Sequence, residues 1–557
     1  MDRIREELKA AVKDLYGLDF EPELTPSPEN ITADYSSNAP LKLAKELHKP
    51  PTAIAEELNE KLNANISAPG FLNFTLSDNY LSEKLNELDF TLNEYNGKTI
   101  ICEFSDPNPF KVLHVGHLYT SIVGDSIARL FESAGAKVIR ANFGGDVGLN
   151  VAKTMYIFKQ KPLDELTIDD IAKCYVEGTA AYEDDENAKA EITKLNKEIY
   201  RINSEGLRGG GDDGRPRPTN SLAELYWKGR ELSYAYFKDF YAKIGVKFDK
   251  YYPESTVAGL GLKKVKENPD VYEKSAGAII FNGEKFGLHT RVFINQEGVP
   301  TYETKDVGLI FQKYEDYHFD KSVVITGSEQ LEYMKVVLKS IEQYAPELVK
   351  KTAHLTHGLV KLPGNVKMSS RKGNFLKAVD VLDLIRTELK KEYNSTDETV
   401  ALAATKYAFL KYKMGGNIIF DPKESVKMTG NSGPYLLYSC VRAKKILQKE
   451  VASAGVSDDV FLEKVNSRKD MSGITPSEHN LAKKILEYKL VLSESVAEMA
   501  PHKLANYLYE LAQSFSRFYE NCPVVGDKNE PERLKLVQAY LDTMTHGLDI
   551  LGIKIPE

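Results

Sequence analysis

With 557 residues, 42% hydrophobic and 28% charged, the chain has the composition of soluble globular proteins and length for three or four domains. Its formal net charge of -8 excludes a uniformly basic nucleic-acid coat, although a local basic surface remains compatible with it. No run of about 18 apolar residues suggests a membrane span, and the opening MDRIREELKAAVKDLYGL lacks the apolar core of a signal peptide.

Cys102, Cys174, Cys440 and Cys522 are far apart and form no CxxC pair. They are expected to be buried thiols of a reducing compartment, which points to a cytoplasmic setting.

In chain order, helical patterns at 3–15, 39–48 and 52–63 precede an APG turn and an alternating run, Phe71 to Leu76. Together they predict an α+β domain over residues 1–95. Ile100 to Phe104 then predicts a short buried strand. Pro107 and Pro109 keep a helix from starting early. HVGH, His114 to His117, stands at the mouth of a helix whose apolar face is Leu118, Ile122, Ile127, Leu130 and Phe131. Gly135 ends that helix, and Lys137 to Ala141 is a second strand. The pattern is a βαβ unit with two histidines on its turn.

Helix N-terminal amides attract anions. Two imidazoles there can donate to phosphate oxygens, and Gly116 allows close approach to the backbone. Neither GxGxxG nor GxxxxGK[ST] follows the strand, so a dinucleotide fold and a Walker-type loop are disfavoured. From the residues alone, histidines at i, i+3 are equally well ordinary solvated side chains or half a metal site. A metal is the weaker option, because no Cys, Asp or second His pair lies nearby at ligand spacing.

The longer string SDPNPFKVLHVGHL resembles the signature of arginyl-tRNA synthetases, a family of class I aminoacyl-tRNA synthetases. The matching positions are Ser105, Pro107, Asn108, Lys111, His114, Gly116, His117 and Leu118. Tyr119 and Val147 depart from the commoner family residues. The resemblance implies a multidomain α/β fold: a Rossmann-like nucleotide-binding core with a helical insertion, an N-terminal α+β domain and a C-terminal all-α anticodon-binding bundle. It also implies that Phe71 and Asn73 of the first domain meet a base at the tRNA elbow. The alternative is that Phe71 and Phe74 are core and Asn73 satisfies a turn.

Downstream, residues 151–245 are mostly helical in pattern, except for GLRGGGDDGRPRPTN, Gly206 to Asn220, which is expected to be a flexible solvated loop rather than a nucleic-acid arm. Between 248 and 330, Glu254, Tyr302, Asp306 and Gln330 fit one pocket. Tyr302 and Asp306 share a helix face if Tyr302 opens a helix, and Gln330 follows the strand VVITG, where ligands of open α/β sheets bind. A guanidinium wants planar acceptors, which carboxylates supply best. By the resemblance, Glu254, Tyr302 and Asp306 hold the guanidinium, and Asn108 and Gln330 hold the α-carboxylate and α-amino groups.

LVKLPGNVKMSSRKGN contains Lys367, Met368, Ser369 and Ser370, a KMSS like that of class I synthetases, after a strand at Leu359 to Leu362. His357 and Gly358 resemble the family stretch that frames adenine. From about 421 the pattern is helical to the end. Tyr435, Tyr438 and Arg442 match family positions that contact the anticodon loop, with helix packing as the alternative for the tyrosines. The chain ends at Pro556 and Glu557, where the family often has a methionine.

What the resemblance implies is ligation of L-arginine to tRNA(Arg) at the expense of ATP with Mg²⁺. His114, His117, Lys111 and Lys367 act at the phosphates. Gly116, His357, Gly358, Met368, Ser369 and Ser370 hold ATP. No tightly bound protein metal, no membrane and a monomer are expected. The expected division is 1–95, 96–150 and 151–245, then 246–345, 346–420 and 421–557. Two rivals remain open: another member of the HxGH superfamily, and a catalytically silent RNA-binding protein. The first would lack the Glu254, Tyr302, Asp306 set and the second would lack the signature residues.

Overall fold

The apolar run Ile100 to Cys102, fully buried, becomes the middle strand of a five-stranded sheet. This is a computed structural model, and it describes residues 2–27, 33–160, 167–208, 221–364, 376–454 and 473–556. Lys367, Met368, Ser369 and Ser370, and all but the first three residues of the Gly206 to Asn220 loop, lie outside them.

In spatial order the sheet runs Thr352–His357, Lys321–Gly327, Thr99–Glu103, Lys137–Gly144, Lys250–Pro253. Every neighbouring pair is parallel. Parallel neighbours need crossovers, and helices supply them. Val115–Ser133 links Thr99–Glu103 to Lys137–Gly144, and the helices Leu149–Phe158, Ile168–Asp184, Glu186–Arg208 and Ser221–Ile244 lie before Lys250–Pro253. Thr99–Glu103 pairs on one side with the strand that follows it and on the other with a strand from far downstream. This change of direction is a topological switch point, where a crevice opens at the carboxyl ends of the strands.

Sequence expectations and observed elements agree closely, with informative differences. The strand expected at Lys137 to Ala141 continues to Gly144, because Asn142 to Gly144 pair with Tyr251 to Pro253. The strand expected to reach Leu76 stops at Phe74, and the Leu76 amide donates instead to the Asp34 carboxylate at 2.7 Å. The strand expected at Leu359 to Leu362 shrinks to Val360–Lys361.

One core lies between the sheet and its covering helices, with Ile101, Ile139, Val324, Val257, Val307 and Val337 among its buried members. The insertion has its own core, which includes Met155, Phe158, Cys174 and Ile199. Phe110 and Val147 enter that second core, so the signature loop and the insertion pack as one body. Val147 thus serves packing. Tyr119, the other departure from the family residues, is also buried, against the rings of His357 and Phe409 at 4.6 and 5.4 Å.

The chain forms two compact units. One comprises Met1–Asp89, Ile446–Glu487 and Ser514–Tyr540, and the other comprises Phe90–Lys445, Tyr488–Gln513 and Leu541–Glu557. The first holds a four-stranded antiparallel sheet in the order Thr25–Pro26, Tyr35–Ser37, Phe71–Phe74, Asn65–Ser67. Beside it the helices Asp78–Asn86 and Pro476–Leu486 pack together. No helix among the described residues is long and apolar enough to cross a membrane.

Candidate functional site

The loop after Thr99–Glu103 cannot run straight into its helix. Ser105, Asp106 and Phe110 all adopt the left-handed region, at φ 72, 47 and 65°. Such backbone is costly for residues with side chains and persists only where surroundings enforce it. Here the enforcement is visible. Ser105 Oγ contacts Tyr241 Oη at 2.8 Å, the Phe143 amide donates to Asp106 Oδ1 at 2.7 Å, and the Phe110 amide donates to Ser233 Oγ at 3.0 Å. The Gly145 amide donates to Asn108 Oδ1 at 2.8 Å.

The helix Val115–Ser133 starts with histidines as its caps. The Gly116 amide donates to His114 Nδ1 and the His114 amide to His117 Nδ1, both at 3.1 Å. The rings stack with centroids 3.9 Å apart. Because both Nδ1 atoms accept, each neutral ring carries its proton on Nε2. Burial pushes His114 down to about 4 and His117 well below its ordinary value, aided by the nearby Lys111 charge. At neutral pH the pair is therefore two uncharged donors at a helix N-terminus.

The helix Tyr302–Tyr317 brings a second set of groups. It lies against Glu254–Glu267 at backbone distance, since a Cβ on Gly308 would sit 2.2 Å from the Val257 carbonyl oxygen. This contact aligns Glu254 with Lys305, whose ammonium donates to it at 2.5 Å with both side chains buried. Lys313 pairs in the same way with Glu103 at 2.5 Å. Asp306, by contrast, has no cationic partner among the described residues. It accepts from Tyr333 Oη. Burial pushes its carboxyl up to about 8, with Tyr333 opposing and the Glu103 and Glu254 charges adding. Burial likewise raises Asp106 well above the carboxylate range, with Glu103 adding.

His114 and His117 from the first set and Glu103, Asp106, Asp306 and Tyr333 from the second line one cavity of about 770 Å³. Of the expected site residues, Asn108, His114, Gly116, His117, Tyr302, Asp306, Gln330, His357 and Gly358 all border it. The Tyr302 hydroxyl accepts from Asn150 Nδ2 at 3.3 Å. His357 is buried and its Nδ1 lies 2.7 Å from the Gly358 carbonyl oxygen.

Two expected residues stand elsewhere. Glu254 does not border the cavity, because its carboxylate is turned to Lys305 and neutralised there. Lys111 lies in an adjoining pocket of about 100 Å³ that it shares with Asn108, His114, His117 and Tyr175. In the other unit, Phe71 is half-buried and Asn73 is buried. The Asn73 carboxamide accepts from Ser36 Oγ at 2.6 Å and donates to the Asn65 carbonyl and Ser67 Oγ at 3.0 and 2.9 Å. Tyr438 is 48% exposed, with the Arg442 guanidinium 4.7 Å from its ring centroid, and Tyr435 packs edge-on to Tyr509.

Sequence reasoning passed over Glu103, Asp106, Arg291 and Tyr333, which all border the cavity. Glu103 had a signal: a carboxylate closing an otherwise apolar strand. Arg291 pairs with Glu303 at 3.1 Å, and its buried Nε has no hydrogen-bond partner among the described residues. Nothing local marked Tyr333.

The arrangement offers anion-binding donors and unneutralised acids in one crevice. Comparisons with known proteins agree with that chemistry. The profile described as tRNA synthetases class I (R), catalytic domain, matches residues 80–421. The DALR anticodon binding domain matches 436–557, and the arginyl tRNA synthetase N terminal domain matches 2–76. An arginine–tRNA ligase of Bacteroides fragilis is 27% identical over 93% of this chain and 92% of its own length. One from Porphyromonas gingivalis is 28% identical over 100% and 99%. The solved arginyl-tRNA synthetase of Thermus thermophilus superposes with a TM-score of 0.78 at 25% identity, covering 100% of this chain and 99% of its own.

Proposed function

The chain belongs to the class I arginyl-tRNA synthetases and is an arginine–tRNA ligase, and on that premise we propose which of its residues carry the two steps. In the first step the arginine carboxylate attacks the α-phosphate of ATP. A carboxylate–phosphorus bond forms, the bond to the leaving pyrophosphate breaks, and arginyl-adenylate results. In the second step the terminal ribose hydroxyl of tRNA(Arg) attacks the adenylate carbonyl and AMP leaves. Such centres need positioning and charge stabilisation more than a protein nucleophile.

The single observation that carries this reading is the shared cavity, with the stacked histidines on a helix N-terminus and Asp306, Asp106 and Glu103 in one lining. His114 and His117 donate from Nε2 to phosphate oxygens. His357 and Gly358 frame the adenine. Asp306 and Tyr302 hold the guanidinium, while Asn108 and Gln330 hold the α-groups. Glu254 acts through Lys305 rather than by direct contact, because a carboxylate with a buried ammonium partner has little left for a second cation. Lys111 and Lys367 answer the pyrophosphate charge, and Gly116, Met368, Ser369 and Ser370 hold ATP.

Among the described residues no three ligating side chains converge on a metal position. Mg²⁺, if bound with ATP, would offset the charge of its phosphates. Phe71, Tyr435, Tyr438 and Arg442 are the proposed tRNA contacts, and Asn73 could join them only by giving up three hydrogen bonds. The six-part division of the chain and a monomeric state belong to the same proposal.

ATP–pyrophosphate exchange across a panel of amino acids, with and without tRNA, tests it. Arginine alone should support exchange, and only with tRNA bound. Comparable exchange with another amino acid would refute the pocket assignment.

A further inference from the structure

Lys111 is a half-buried ammonium whose only carboxylate influence is the more distant Glu254, itself paired with Lys305. Among the described residues no carboxylate makes an ion pair with it, and its partner is the ring of Tyr175, 4.2 Å from nitrogen to centroid. A lysine in such surroundings ordinarily finds an acid or loses its proton. Here burial does lower Lys111, and Tyr175 is the first influence opposing it. The ring belongs to the insertion, on the helix Ile168–Asp184. Ala172, Tyr175 and Val176 lie at i, i+3 and i+4 on one face of that helix, and all three line the small pocket with Lys111, His114 and His117.

The position of that helix is tightly held. Thr167 and Asp170 form a capping box at its start. Gly178 backs onto the neighbouring helix so closely that a Cβ there would lie 1.9 Å from the Lys153 carbonyl oxygen. Cys174 is buried in the insertion core. Tyr175 is therefore presented at a fixed height beside the histidine pair.

We propose that Tyr175 is the positioning residue of Lys111: its ring keeps the ammonium beside His114 and His117 until a phosphate of ATP takes it. Lysine has four rotatable bonds and loses much freedom when ordered. A ring that pre-orders the stem removes that cost from the binding step. A cation–π contact is also weaker than a charge-assisted hydrogen bond to phosphate. The ring therefore holds the cation without competing with the incoming anion. In this way the insertion contributes to ATP binding through Tyr175, although it carries none of the signature residues. The inference rests on Lys111 acting at phosphate, as the functional reading has it.

The test compares Tyr175→Leu and Tyr175→Phe in the full chain with tRNA present, measuring pyrophosphate exchange and, by calorimetry, ATP affinity. Tyr175→Leu fills the space without a π-face and should weaken ATP by roughly five- to tenfold, while Tyr175→Phe should stay within about threefold of the unsubstituted protein. Tyr175 favours the charged lysine through its hydroxyl, so the alkaline limb of the exchange profile should move to lower pH in Tyr175→Leu and return only in part in Tyr175→Phe. In a Lys111→Met background Tyr175→Leu should have no further effect. An unchanged ATP affinity and pH limb in Tyr175→Leu, or the same loss with Lys111 already absent, would overturn the proposal. If the protein exchanged no pyrophosphate with arginine yet ATP affinity still fell in Tyr175→Leu, the arginine reading would fail and this one would stand.

Discussion

In the unit that carries the cavity, burial leaves His114 and His117 uncharged and holds Asp306 protonated up to about pH 8. In the other unit the same residue types charge one another. His479 Nε2 lies 2.9 Å from Asp34 Oδ2, Lys483 lies 3.2 Å from Asp34 Oδ1, and Asp78 approaches His479 Nδ1 at 3.6 Å. Burial opposes the charged forms there too, but the partners win: His479 is raised and Asp34 is lowered. Burial alone therefore does not decide the charge state; what matters is whether the fold supplies the partner. Where it does, as at His479, the pair holds the fold. Where it does not, as at Asp306, the partner we propose is the guanidinium of the ligand.

The strongest way to break that contrast is Asp306→Asn. A guanidinium that has lost its carboxylate resembles a broken buried pair, at about 3–5 kcal/mol. The kcat/KM for arginine should fall by roughly two to three and a half orders of magnitude. The KM for ATP should hardly move, and discrimination against citrulline, which has the shape without the charge, should narrow. Wild-type efficiency with arginine in this variant would remove Asp306 from the pocket.

The pH dependence sharpens the contrast next. With the empty-site carboxyl at about 8, a proton must leave Asp306 before arginine binds as an ion pair. Affinity for arginine should therefore rise about tenfold per pH unit up to that value and level off above it. Calorimetry in two buffers of different ionisation heat should show release of nearly one proton at pH 7. Because Tyr333 Oη donates to the carboxylate, Tyr333→Phe should move the limb up by about one unit, with no difference at high pH. A flat profile would mean that Asp306 is already ionised when the cavity is empty.

The smallest effect belongs to the satisfied cluster. His479 is raised, so its contribution is complete below the ordinary imidazole value near 6.5 and is lost as pH rises through the raised one. Asp34 is lowered, so acid removes the pair only as pH falls through that lowered value. His479→Gln should cost about 1 kcal/mol at pH 6, since the ring keeps some solvent contact, and almost nothing at pH 9. Hydrogen exchange of the Leu76 amide, which donates to Asp34, reads the difference. Equal protection in both proteins at pH 6 would show that the cluster holds nothing.

The sequence by itself determined what is local. The apolar run at Ile100 to Cys102 reads as a buried strand, the spacing of Leu118, Ile122 and Ile127 as a helix behind His114, and Tyr302 and Asp306 share a face on the separate helix Tyr302–Tyr317. HVGH announced a helix N-terminus because capping is decided within four residues. The tertiary structure alone decided the electrostatics. Glu254 is neutralised by a lysine 51 positions on, Glu103 by one 210 positions on, and Asp34 by a histidine 445 positions on. Tyr333 meets Asp306 across 27 residues, and Tyr175 meets Lys111 from the insertion. No periodicity signals such pairings, because a charge senses whatever lies within a few ångströms, and in a folded chain that distance bears no relation to separation along the sequence.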